Sequence, residues 1–314
     1  MSSKRRGLFG REHGEVLAVD DISLSIPTGQ AVAFIGPNGA GKSTTIKMLT
    51  GILTPSSGSA MVLGFVPWQQ RQQLAYHIGA VFGQRSQLWY HLPPRDTFEL
   101  LARVYNLPKQ DYQQRRDMLI QRFGLGAFLD TQVRKLSLGQ RMRAEIAASL
   151  LHRPKVLFLD EPTIGLDVVA RQELRDLISE WNQNEGLTVF LTSHDAGDIE
   201  RVARRVIVIN HGHIVFDDKV SMMRRQFLGA KILSVRYAAP PTSADLMALA
   251  GVEELKRTEY AMKLKVDTAR TPIEAVMNAV LRAGSVADIA IEDPPLEEVI
   301  AHIYADTGAE VDHA

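Results

Sequence analysis

Short apolar runs, each followed by a glycine-rich turn or a stretch of helical spacing, organise the first two thirds of the 314-residue chain. Val16–Ile26 alternates apolar and polar positions, the period-two pattern of strands with one buried face. Ala31–Ile35 is a continuous apolar run that ends in a glycine-rich turn, and the stretch behind it, Lys42–Thr50, has helical spacing. This strand–loop–helix unit opens an α/β fold. From Asp96 to about Arg153 the pattern turns helical, with Phe98, Leu101, Val104 and Tyr105 and then Met118, Leu119 and Phe123 on apolar faces. A helical insertion of that length predicts a subdomain beside the main sheet, at about residues 90–153. Val156–Leu159, Thr188–Thr192 and Val206–Asn210 are uninterrupted apolar runs, as expected of strands buried on both faces of a parallel sheet. Arg171–Trp181 between them is helical in pattern. The alternation predicts a mainly parallel sheet covered on both faces.

Near Phe227 the composition shifts, dividing the chain into a domain at 1–228 and a smaller one at 229–314. In the second, Ile232–Tyr237 reads as a strand and Ala244–Ala250 as a short helix. Val252–Arg257 and Tyr260–Val266 read as strands around a tight turn, with Tyr260, Met262, Leu264 and Val266 on one face. Pro272–Leu281 reads as a helix, Ala287–Ile291 as a strand and Pro294–Tyr304 as a closing helix with its prolines at the start. The order β-α-β-β-α-β predicts a ferredoxin-like α+β unit.

Charge and composition narrow the function classes. Thirty-six basic residues balance 36 acidic ones, so no net field draws the chain to nucleic acid, and no nucleic-acid partner is expected. With no cysteine, disulfides and thiolate metal sites are excluded. Met1–His13 is basic and polar, with Lys4, Arg5, Arg6 and Arg11, and reads as a solvated tail or a contact for lipid headgroups, not as a signal peptide. No apolar stretch reaches the ~18 residues of a membrane span, so work at a membrane would require a partner that does the spanning.

The chemistry gathers at the ends of the apolar runs. Gly36-Pro37-Asn38-Gly39-Ala40-Gly41-Lys42-Ser43-Thr44 fits the G-x-x-x-x-G-K-[ST] phosphate loop, in the strand-to-helix context that loop requires. Glycines let successive backbone N–H groups converge on phosphate oxygens, and the helix start adds its dipole. Lys42 is placed to reach the β- and γ-phosphates, and the Ser43 hydroxyl to coordinate Mg2+. Val156–Pro162 buries four apolar residues and then presents Asp160, placed to hold magnesium directly or through water, and Glu161, a candidate general base for the attacking water. Two adjacent acids repel unless a cation lies beside them, which suits Mg-ATP. Leu136-Ser137-Leu138-Gly139-Gln140 precedes a helical run; Ser137 suits a helix cap, and the same hydroxyl and amides could hold a γ-phosphate.

In this order the motifs resemble the nucleotide-binding subunit of the ABC transporter superfamily, a P-loop NTPase, over roughly residues 13–220. The resemblance implies an ATPase that works as a head-to-tail dimer of identical copies, with ATP and Mg2+ as cofactors. Each ATP lies between the phosphate loop of one subunit and the signature, Leu136–Gln140, of the other. It implies that Gln84, in Val81-Phe82-Gly83-Gln84, senses magnesium and the attacking water, that His194 contacts the γ-phosphate, and that Asp167 crosses the dimer interface. Two positions depart from the family pattern: Leu138 stands where the signature has glycine, and His13 where an aromatic stacks on adenine. Val81–Leu92 and Thr163–Arg171 are similar to bacterial drug exporters of the daunorubicin type and a viologen-exporter-like branch. That likeness implies separate integral-membrane permease subunits, a peripheral place on the cytoplasmic face of the bacterial inner membrane, and a dimerisation or regulatory role for the C-terminal extension.

Other readings compete with parts of this one. An ABC ATPase acting on DNA or ribosomes would need two cassettes or a long coiled coil in one chain, and an importer ATPase differs only at the subgroup level. Trp89, Tyr90 and Leu92, just after Gln84, suit either core packing or a groove that grips a permease helix. His211-Gly212-His213 reads as a hairpin turn in preference to a metal pair.

Overall fold

The computed structural model describes residues 17–83, 86–227, 230–241 and 249–306. The first unit runs β1 (Ala31–Ile35), α1 (Lys42–Leu49), α2 (Arg71–Ala75), β2 (Ile78–Phe82), α3 (Pro94–Val104), α4 (Lys109–Arg122), α5 (Leu138–Ser149), β3 (Val156–Asp160) and α6 (Val168–Glu185). It continues through β4 (Thr188–Thr192), α7 (Ala196–Val202), β5 (Arg205–Asn210), β6 (His213–Lys219) and α8 (Val220–Phe227). The second unit holds β7 (Ala230–Tyr237), β8 (Val252–Arg257), β9 (Ala261–Asp267), α9 (Ile273–Ala283) and β10 (Val286–Glu292), and is followed by α10 (Leu296–Asp306).

The first sheet has the order β2-β3-β4-β1-β5-β6, parallel throughout except for β6. β1 and β4 are buried at every position, as their unbroken apolar runs require of strands covered on both faces. One face, with Leu157, Leu159, Val189 and Leu191, packs against α3–α6 through Phe98, Leu119, Ile146 and Leu174. The other face, with Phe34, Phe158 and Phe190, packs against α1 through Ile46. The inserted helices α3–α5 thus stand where the periodicity placed them.

Several elements differ from expectation. Leu17–Ile26 forms no strand among the described residues, although its alternation is real: Ile22, Leu24 and Ile26 turn toward the core while their neighbours are exposed. The apolar face packs, but the backbone joins no ladder. The strand β2 was not evident because Gly79 interrupts it; a Cβ there would lie 2.7 Å from the Ser149 carbonyl, where the end of α5 crosses closely. Helix α6 is longer than its apolar stripe, because Asp167 caps its start by accepting from Ala170 N–H at 2.9 Å and Gly186 ends it at φ 64°. His211-Gly212 forms the β5–β6 turn with φ 45° and 81°, the conformation that a two-residue hairpin turn demands.

The second sheet is antiparallel in the order β10-β7-β9-β8, as a ferredoxin-like arrangement orders its strands. Leu233, Val235, Met262, Leu264 and Val266 bury one face against α9 through Val276 and Val280. Tyr260, expected on that face, precedes β9 and is exposed. The expected helix at Ala244–Ala250 falls largely outside the described residues. The boundary expected near 228 falls between α8 and β7, yet among the described residues α10 shares no hydrophobic core with the second sheet. Its Leu296, Val299, Ile300 and Ile303 are buried among Ala33 and Ile35 of β1, Ala196 and Ile199 of α7, and Met223 of α8.

Candidate functional site

Three neighbouring parallel strands, β3, β4 and β1, end side by side, and register sets Thr192 beside both Asp160 and Phe34. The loops that leave their carboxyl ends therefore converge, the usual location of a ligand crevice in such sheets. From β1 the chain enters Gly36–Gly41. A Cβ at Gly36 would lie 2.2 Å from the Ile209 carbonyl, and Gly41 takes φ 107°, so both positions need glycine. Asn38 and Gly39 form the exposed tip, Pro37 and Thr44 are half-buried, and Ala40 is buried. Helix α1 starts at Gly41 with no side-chain cap, so its first N–H groups are left for an anion. Lys42 is buried, and its Nζ donates to the Gly36 and Pro37 carbonyls at 2.7 and 3.2 Å. Burial lowers its pKa, while Glu161 and Asp160 act in the opposite sense. A buried ammonium satisfied by its own loop's carbonyls, under a cradle of free amides, fits a phosphate chain.

Opposite stands the acidic end of β3. Ser43 Oγ and Thr192 Oγ1 both donate to Asp160 Oδ1, at 3.2 and 2.7 Å. Hydroxyl and carboxylate oxygens are the hard donors that Mg2+ takes, so Ser43 and Asp160 fit that ion. Glu161 adopts φ 54°, a strained conformation for a side chain of its size. It is pinned there by its N–H, which donates to the Thr192 carbonyl and hydroxyl, each at 3.1 Å. Its Oε2 lies 2.8 Å from His194 Nδ1, which leaves the end of β4. Lys42, Ser43, Asp160, Glu161 and His194 are thus brought together, joined by Thr192, which the sequence reading had placed only as a strand residue.

Ser137, Gly139, Gln140 and Asp167 form a second group, and none of the described contacts joins them to the phosphate loop of their own chain. Ser137 caps α5 by accepting from Gln140 N–H, while Gln140 Oε1 accepts from Ser137 N–H, a reciprocal capping box. Leu138 packs under the loop before α6, where a Cβ on Gly165 would meet Leu138 Cδ2 at 3.0 Å. The departure from glycine therefore fills the space against Gly165. Gly139 lies so close to α6 that a Cβ would come 2.9 Å from the Ala170 Cβ. Glu145, unforeseen from sequence, is buried on α5 and accepts from Ser86 Oγ and, at 3.0 Å, from Gln87 N–H; burial raises its pKa. Gln84 and His13 lie outside the described residues.

Residues 19–164 match the family described as ABC transporter. The daunorubicin resistance ATP-binding protein DrrA3 of Streptomyces coeruleorubidus is 31% identical over 299 residues, covering 94% of both chains. The chain belongs to the ABC transporter ATP-binding family. The daunorubicin/doxorubicin resistance protein DrrA of Streptomyces peucetius is 32% identical over 82% of this chain and 76% of its own. Among solved structures, a dimeric ATP-binding cassette in a post-hydrolysis state bound to ADP and Pi superposes with a TM-score of 0.60 at 25% identity. It covers 68% of this chain and 94% of its own. The solved cassette thus spans about the first unit alone, whereas the likeness to DrrA3 runs on through the second. The protein is an ABC ATPase subunit related to exporter-type ATP-binding proteins.

Proposed function

We propose that this ABC ATPase powers export through separate integral-membrane permease subunits, from the cytoplasmic face of the bacterial inner membrane, as one of two identical cassettes. The observation that carries the catalytic part is the Glu161 carboxylate, held 2.8 Å from His194 at the strand ends that also present Lys42. Glu161 is the general base that takes a proton from the attacking water, and His194 orients that carboxylate and contacts the γ-phosphate. Gly36–Thr44 cradle the phosphates through backbone amides, with Lys42 neutralising charge. Ser43, Asp160 and Gln84 would hold Mg2+, which, when bound, offsets the charge of the β- and γ-phosphate oxygens. Ser137, Gly139 and Gln140 serve the ATP of the second subunit, and Asp167 crosses to it. The separation of these residues from their own phosphate loop supports that division. So do Val168 and Val169, which are 81% and 68% exposed beside Asp167. Apolar residues left bare at a helix start suit a face covered by another cassette. His13 is the residue offered to adenine.

No helix among the described residues is long and apolar enough to cross a membrane, consistent with spanning by partners. Trp89 and Tyr90 are 49% and 56% exposed, which favours the docking reading over core packing for a permease helix. Their backbone is held by Thr97 Oγ1 and Arg134 N–H, so the aromatic pair is presented on a fixed loop. The assignment of the base is tested with Glu161→Gln, which keeps shape but cannot accept a proton. Steady-state hydrolysis is expected to vanish while ATP binding survives and a dimer accumulates; near wild-type turnover would remove Glu161 from that role.

A further inference from the structure

We propose that Asp198 is a positioning residue for hydrolysis, fixing the loops of Glu161 and His194 to each other; this rests on the roles given to those two residues above. Asp198 stands in the first turn of α7 and is fully buried. Three donors converge on its carboxylate. Thr163 Oγ1 and Ser193 Oγ donate to Oδ2 at 2.5 and 2.6 Å, and Arg175 Nε donates to Oδ1 at 2.6 Å. Thr163 follows Glu161 by two residues, and Ser193 immediately precedes His194. A single carboxylate therefore anchors both loops whose tips meet at 2.8 Å.

The frame extends along the β3–α6 loop toward Asp167. Arg175 Nη2 donates to Asp195 Oδ1 at 2.6 Å, and Arg171 Nη1 to Asp195 Oδ2 at 2.5 Å. Arg171 Nη2 also donates to the Leu166 carbonyl at 3.1 Å, next to Asp167. Asp195 in turn caps α7 by accepting from Gly197 N–H. Two arginines and two aspartates thus bind the residues after the base, on both sides of the switch histidine, and in the loop offered to the second subunit. Centred on the buried Asp198 carboxylate and charge-assisted, with Arg171, Arg175 and Asp195 half-buried around it, such a network admits little play. Rigid anchoring is what the strained Glu161 backbone requires, since a disfavoured conformation persists only where its surroundings over-determine it. A displacement of about 1 Å at a reacting group can cost roughly a hundredfold in rate.

The test uses the full chain carrying Asp198→Asn, Thr163→Val or Ser193→Ala, with Glu161→Gln and His194→Ala as references. ATP affinity, KM, kcat and melting temperature are measured for each. Asp198→Asn should hold ATP with affinity unchanged within about twofold, because no phosphate contact is touched, while kcat falls roughly tenfold or more. Thr163→Val and Ser193→Ala keep the ion pair and should lower kcat less, again at constant KM. In a His194→Ala background Asp198→Asn should add almost nothing, since residues acting through one another are not additive. Wild-type kcat in Asp198→Asn, or a full additional loss in the double variant, would overturn the proposal. If Asp198→Asn does not fold, wild-type kcat in both hydroxyl variants overturns it equally. Wild-type turnover in Glu161→Gln and His194→Ala would instead fault the underlying assignment, so the two failures are distinct.

Discussion

Strands β1 and β4 of the cassette are buried at every position, whereas β9 of the second unit alternates buried and open positions along its length. The far face of the second sheet is largely polar around the buried Ile232. Arg236, Lys263, Lys265 and Asp288 share it, and Arg236 pairs with Asp288 across β7 and β10 at 3.1 Å. The two sheets thus solve burial in different ways, and the difference decides what each can do. A doubly covered parallel sheet sends its loops to one end, where side chains from β1, β3 and β4 meet. An antiparallel sheet with its apolar core on one face offers no such convergence, and its other side carries mostly charges, one of which, Lys265, pairs with Glu298 of α10. Chemistry belongs to the first unit, and the second is joined to it by α10.

That joint deserves its own physical account. Leu296, Val299, Ile300 and Ile303 belong to the core that holds β1 and α7, the elements just before the phosphate loop and just after His194. Burial pushes the phenol of Tyr304 on α10 far above its ordinary range, and the charge of Glu161 adds to the shift. Tyr304 is therefore within electrostatic reach of the proposed base. Substitutions in the two cores distinguish which unit α10 stabilises. Val299→Asp would place a charge in the cassette core without a partner, at a cost of about 4 kcal/mol or more. Thermal unfolding should show loss of the cassette transition and of ATP binding. By contrast Leu264→Ala leaves a cavity under α9 and should cost about 3 kcal/mol, with ATP affinity unchanged. If Val299→Asp left ATP binding and the cassette transition intact, α10 would not be part of the first unit's core.

The same contrast explains what could be read from sequence. At Gly36–Thr44 and Asp160–Glu161 an apolar run ends directly in charged or glycine-rich chemistry, so the strand, its burial and its function are written in adjacent residues. In the second unit Met262, Leu264 and Val266 announce a strand and a face, but among the described residues that face meets α9 and Leu249 and names no ligand. The place of α10 was beyond periodicity. An amphipathic helix after Pro294-Pro295 shows that it has an apolar side, not which of two cores receives it. Thr192 and Asp198 were missed for a related reason. Their importance comes from register between β3 and β4 and from a turn that folds α7 back, and neither is local in sequence.

A smaller effect sharpens the comparison at the surface. The aromatic pair Trp89 and Tyr90 belongs to the cassette's helical side, while the second sheet offers charge. If permease docking uses the former, Trp89→Ala should weaken co-purification with permease subunits by about 2 kcal/mol. The isolated subunit should melt near the wild-type temperature, because a half-exposed ring leaves little cavity. A destabilised subunit that still co-purifies fully would refute the docking role.

The smallest expected effect separates the helical insertion from the sheet it leans on. His152 follows α5, stacks on Tyr105 at 3.9 Å between ring centroids, and makes a hydrogen bond through Nε2 to the Ile78 carbonyl of β2 at 2.9 Å. Since a carbonyl only accepts, Nε2 carries the proton, and a second proton must go to Nδ1, which is buried without a partner. Burial accordingly lowers the His152 pKa from 6.5 to about 4. The folded state resists a proton that the unfolded chain accepts, so this residue's contribution is intact above about pH 6.5. It declines as the pH falls toward 4, by roughly 1–2 kcal/mol at pH 5. His152→Gln can still donate to the Ile78 carbonyl but does not titrate. Chemical denaturation of both proteins at pH 7.5 and pH 5 should show the stability gap between them shift in favour of the variant at the lower pH. An unchanged gap would mean that His152 charges in place, and that the contact between Tyr105 of the insertion and β2 opens to water without cost.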